Sequence, residues 1–154
     1  MNGTALVLGA LHQGESRLAD QLAHVARRHR AEHEVRHVAL DLADWSREHV
    51  RLLAEAAQAR DLDPALAPGF ASGAPKAAAH SCEPGLLLLR DLRELHLSAT
   101  ENSLDWEMLA QLAQATRDEG LLAVVSECHP RTLRQLRWTN TMIKNLAPQI
   151  LTSL

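Results

Sequence analysis

A chain of 154 residues, 46% apolar and 23% charged, can build one domain around a real hydrophobic core, which excludes a disordered or fibrous protein. The formal charge of −3 gives no drive towards nucleic acid or an anionic membrane. Two cysteines, Cys82 and Cys128, with no C-x-x-C spacing, exclude a disulfide framework or a zinc ribbon and fit a reducing, cytoplasmic setting.

Leucine (28) and alanine (25) far outnumber valine plus isoleucine (9), and tyrosine is absent, a composition that favours helix. The apolar runs at residues 5–11 and 85–89 fall far short of the roughly 20 residues that a membrane span needs. The first run has neither a basic flank nor a cleavage site, so no signal peptide is expected.

In chain order, Leu8, Leu11, Glu15, Leu18, Leu22 and Val25 recur at spacings of three and four, which predicts a first helix over residues 4–28. After the polar joint at residues 28–31, Val38, Leu42, Trp45, His49, Leu52 and Ala56 predict a second, ending near Arg60 and antiparallel to the first. Residues 61–85 hold four of the six prolines and three of the seven glycines. This connector is long for a compact domain, and at about 3.1 Å per residue in extended form it could run the length of a bundle. Leu88, Leu92 and Leu95 open a third helix, which Leu97, Glu101, Leu104, Met108 and Leu112 are expected to continue on a shifted face. A break is expected near residues 98–103, with Ser103 able to cap a new start. Beyond Gly120, Leu122, Val125, His129, Thr132, Leu136, Ile143 and Leu146 mark a fourth helix, kinked or restarted at Pro130. The reading is an all-α four-helix bundle: a hairpin over residues 4–60, a connector over 61–85 and a hairpin over 86–150.

An α/β alternative would make strands of residues 5–8, 35–42, 86–89 and 121–125. Strands buried on both faces read as continuous β-branched runs, whereas Arg36, His37 and Asp41 interrupt the second segment and leucine replaces valine throughout.

Gly9 and Gly14, followed by Glu15 and Ser16, have the spacing of a P-loop, but Glu15 stands where lysine is required and would repel phosphate. Inside a helix the two glycines instead permit close packing. Ionisable residues interrupt each apolar stripe: Glu15 on the first helix, His49 on the second, Glu101 on the third and His129 on the fourth. Di-iron carboxylate bundles aim glutamates and histidines inward in this way, and a single long crossover joins their hairpins. With these residues and this layout, nearly the whole chain resembles the ferritin-like superfamily. The resemblance implies a bundle interior holding iron or another transition metal, and a role in handling metal or oxidative stress.

The ligand pattern is incomplete. Glu34 and His37, the one Glu-x-x-His pair in a predicted helix, lie about 14 Å along the axis from the level of Glu15. Glu127 and His129, two residues apart, project in roughly opposite directions. A first turn near residues 30–31 sets His12 level with His49 and Trp45 beside Glu15; a second near 118–120 sets Glu101 opposite Arg137 and Trp106 opposite Thr132. His12, Glu15, His49, Glu101 and His129 are therefore the candidate metal ligands, with paired core contacts as the competing role for each. The arginines Arg131, Arg134 and Arg137 and the basic joint at residues 27–30 could receive an acidic partner. No nucleophile signature of a hydrolase is present. The expectation is a cytoplasmic, homodimeric, ferritin-like bundle acting as a non-catalytic binding or scaffold protein, binding neither nucleic acid nor membrane; the alternative is metal handling in its interior.

Overall fold

The computed structural model describes residues 2–63 and 83–154, of which 87% are helical, with no strands. The described residues form four helices: α1 (Gly3–Arg28), α2 (His33–Gln58), α3 (Pro84–Ala115) and α4 (Glu119–Leu151). None is long and apolar enough to cross a membrane. The connector expected over residues 61–85 falls largely on 64–82, outside the described residues.

Local chemistry sets the helix starts. The Asn2 side chain accepts from Ala5 N–H (3.1 Å), Glu83 from Leu86 N–H (3.0 Å) and Asp118 from Leu121 N–H (3.1 Å). Each satisfies a donor that the first turn leaves unpaired. Pro84 opens α3, where its missing N–H costs nothing. No break appears at residues 98–103, and α4 runs through Pro130 without a restart.

α1 packs against α2 and α3, and α4 against α3 and α2. Side-chain pairs give the directions. Arg28 meets Asp91 while Glu15 meets Asn102, so α1 and α3 are antiparallel. Gln135 reaches Leu42 and Ser46 while Arg60 meets Asp118, so α2 and α4 are antiparallel too. With each hairpin antiparallel, α2 and α3 run the same way, and Gln58 and Pro84 stand at opposite ends of the bundle.

Side-chain ties join the hairpins at both ends. At one, His29 and Arg28 hold Asp91 at 2.6 and 3.4 Å; at the other, Arg60 holds Asp118 at 2.6 Å. Arg60 keeps the Asp118 carboxyl below the usual carboxylate range, helped by the backbone N–H of Leu121. The basic joint of the first hairpin is thus partly docked on α3 rather than wholly presented to a partner.

The core is in two parts. One cluster gathers Leu18, Leu22, Val25, Leu42, Leu88, Leu92, Leu95 and Met142; the other gathers Leu8, Leu11, Leu53, Trp106, Leu109, Leu121 and Cys128. On α3 the buried stripe is Leu88, Leu92, Leu95, Ala99, Asn102, Trp106, Leu109 and Ala113. The expected shift of face does not occur: Leu97, Glu101, Leu104 and Met108 are exposed. The three-and-four ladder continues through a small residue and a polar one, Ala99 and Asn102.

Candidate functional site

Between the two clusters every helix turns polar. Glu15 on α1, Ser46 and His49 on α2, Asn102 on α3, and Thr132 and Gln135 on α4 are all buried. Each lies in its helix between residues of the two clusters, so together they form a layer across the bundle.

Glu15 is the centre of this layer and is fully buried. His49 donates from Nδ1 to Oε2 of Glu15, and Asn102 donates from Nδ2 to Oε1 at 2.8 Å. Both carboxylate oxygens are therefore engaged, as a buried charge requires. A hydrogen bond from His49 to an ionised Glu15 requires the tautomer that carries the proton on Nδ1. The opposite ring nitrogen, Nε2, and the nearby Trp106 Nε1 are buried and have no hydrogen-bond partner among the described residues. The two rings meet edge to face, with centroids 6.0 Å apart and planes at 84°. On the α2–α4 side, Gln135 Nε2 donates to Ser46 Oγ (2.9 Å) and to Leu42 O (3.1 Å).

Gly14 explains how Asn102 reaches the layer. A Cβ at this position would collide with Asn102 Oδ1, so the absent side chain lets α3 lay its amide against α1. The whole glycine segment lies within the helix, and Gly9 is buried; there is no phosphate-binding loop.

Of the five residues singled out from the sequence, the structure brings Glu15 and His49 together. His12 is half-buried, and the partner that His49 bonds is Glu15, about one turn further along α1. Glu101 is exposed. His129 is half-buried on the α3–α4 seam, where its Nε2 lies 3.0 Å from Ser103 Oγ and 3.9 Å from Glu107. Trp45 lies under the Arg131 guanidinium, 5.9 Å from its ring centroid. The expected Glu101–Arg137 opposition fails because the second turn comes earlier, at residues 116–118, which sets Ser103 level with His129.

These donors do not fit a di-metal carboxylate centre. Glu15 is occupied by two hydrogen bonds, Glu101 and His129 point to other surroundings, and among the described residues no group of three or more His, Cys, Asp or Glu is placed to hold a metal. Cys128 adds no thiolate: burial, then the negative charges of Glu15 and Glu127, push its thiol up to about 12. Ser46, Asn102 and Gln135 were not singled out from the sequence, although three-and-four spacing of the buried residues marks them on α2, α3 and α4.

Comparison with family models, with curated proteins and with solved structures gives no significant match to this chain.

Proposed function

We propose that the protein is a non-catalytic binding or scaffold bundle of ferritin-like connectivity, homodimeric and cytoplasmic, whose interior polar layer is structural. The observation that carries this reading is the double engagement of Glu15 by His49 and Asn102, which gives each oxygen of the buried carboxyl a side-chain hydrogen bond within the bundle. The free, buried Cys128 thiol accords with a reducing compartment.

Metal analysis of untagged protein purified without chelators tests the reading, with Glu15→Gln as its companion. The expected result is metal far below stoichiometry in both proteins, with stability altered by about 1–3 kcal/mol in the variant, the range for a hydrogen bond to a buried charged group.

One observation favours the rival, metal handling. His49 is held through Nδ1 by a carboxylate with Nε2 unpartnered, the orientation that metal-ligating imidazoles adopt. Stoichiometric metal that is lost on Glu15→Gln or His49→Ala would establish that rival in place of the scaffold.

A further inference from the structure

Residues 33–37 read His-Glu-Val-Arg-His, the H-E-x-x-H spacing that sets two imidazoles on one face of a helix. The structure places the whole segment in helix, at the start of α2. Residues four apart are neighbours on a helix surface, with Cβ atoms about 5–6 Å apart. His33 comes two residues before the buried Val35, and His37 two residues before the buried Ala39. A step of two residues turns a helix by roughly 200°, so both rings leave α2 on the side away from the core, and both residues are exposed.

Both rings are available. Among the described residues no hydrogen bond or ion pair engages either of them. The neighbouring histidines differ: His29 is buried and held by Asp91, and His24 is bonded to Arg28. No other two histidines within the four helices stand four residues apart. Glu32, Glu34 and Asp41 are exposed around the pair and outnumber the exposed Arg30 and Arg36. Their carboxylates oppose the positive end of the α2 dipole, which by itself disfavours a cation.

We infer that His33 and His37 chelate a divalent late transition metal ion, of the zinc, nickel and copper class, on the outer face of α2. Imidazole nitrogen suits these ions, whereas magnesium and calcium demand oxygen ligands. The pair is a chelate and not a hydrolytic centre. A catalytic zinc takes three protein ligands, and among the described residues no third His, Cys, Asp or Glu converges here. Water completes the coordination. A metal held by two protein ligands exchanges on desalting, so the purified protein carries little and added metal reads the site. The inference goes beyond the scaffold reading and does not use the polar layer: His37 is twelve residues from His49, about 18 Å along α2.

Calorimetric titration of the untagged full chain with zinc chloride, with magnesium chloride as control, tests the inference. One zinc per chain is expected, and no binding of magnesium. His33→Ala and His37→Ala should each weaken zinc binding by roughly a hundredfold, because the second imidazole binds within the same molecule. His24→Ala should leave it unchanged. Both positions of the pair are exposed, so circular dichroism should show native helix in both variants. Zinc should also raise the unfolding temperature of the native chain and not of the two variants, since the helix is what brings the rings together.

Zinc binding that survives in both variants would place the metal elsewhere and overturn the inference. An absence of binding to the native chain would overturn it too, as would equal weakening by His24→Ala. Zinc lost on Glu15→Gln but retained in the His33 and His37 variants would remove both this site and the scaffold reading in favour of an interior metal. Zinc lost in the His33 and His37 variants but retained in Glu15→Gln would establish the chelate and leave the scaffold reading standing, so the two failures can be told apart.

Discussion

At the scale of single residues, the polar layer depends on an atom that is absent. Gly14 has no Cβ, and Asn102 fills that space to reach Glu15. Gly14→Ala would gain about 1 kcal/mol of helix propensity but push the amide off the carboxylate, a bond to a charged group worth roughly 1.5–3 kcal/mol. The expected net effect is destabilisation, read by urea denaturation; an alanine variant more stable than the native chain would contradict the packing argument. Asp105, one residue before Trp106, gives a pH-dependent case. Burial first, then the charge of Glu101, pushes its carboxyl up to about 6 from an ordinary 3.8. A raised carboxyl disfavours the ionised form in the folded state, so its contribution is fully present below about pH 4 and is lost as pH rises through about 6. Asp105→Asn should therefore stabilise the protein at neutral pH, by on the order of 1 kcal/mol after solvent screening at a half-buried side chain. It should also remove that part of the stability change between pH 4 and 6, as thermal melts across the range would show.

At the scale of helices and turns, spacing in the sequence was a better guide than chemistry at single positions. The three-and-four recurrence placed α1 within a residue of its observed limits, because leucines recur along its buried face. The same recurrence misled on α3, where Ala99 and Asn102 continue the buried stripe without bulk while Leu97, Leu104 and Met108 imitate a stripe on the outside. Glu15 and His49 were legible as ionisable residues within apolar ladders; Asn102 was not, since its role depends on Gly14 of another helix. The second turn was misplaced for a related reason. Gly120 draws attention as a helix stop, yet it lies inside α4, and the residue that takes the left-handed backbone is Arg117, at φ 54°. A non-glycine residue is strained there. Arg117→Gly is expected to raise stability by up to about 1 kcal/mol, relief of strain being partly offset by the freer unfolded chain. The neighbouring Asp118 both caps α4 and receives Arg60 from α2. Asp118→Ala should cost about 1–2 kcal/mol at neutral pH, and the difference between variant and native protein should shrink as acid protonates the native carboxyl below its ordinary range.

At the scale of the whole molecule, two hydrophobic clusters are joined through a layer to which all four helices contribute. Four helices rich in leucine and alanine could pack in several registers, since a slip of one heptad would exchange one apolar contact for another. Glu15, His49 and Asn102 oppose such slips, because each would leave a buried charge or amide facing leucine. Buried polar groups fix register in this way in coiled coils, at some expense in stability. Two expectations then diverge. Replacing Glu15 or His49 alone by leucine should cost about 3–5 kcal/mol, since one partner remains buried without the other. Replacing the layer together, with Glu15→Leu, His49→Leu and Asn102→Ala in one chain, should be close to neutral or stabilising by up to about 4 kcal/mol, because the desolvation penalty disappears with the charges. Gains in stability should come with loss of a single register, seen as broadened amide resonances and faster hydrogen exchange in the helices around Trp106. Denaturation of the two single variants and the triple variant decides the matter: a triple variant destabilised by the sum of its parts would mean that the three residues act independently and that no layer specifies the bundle.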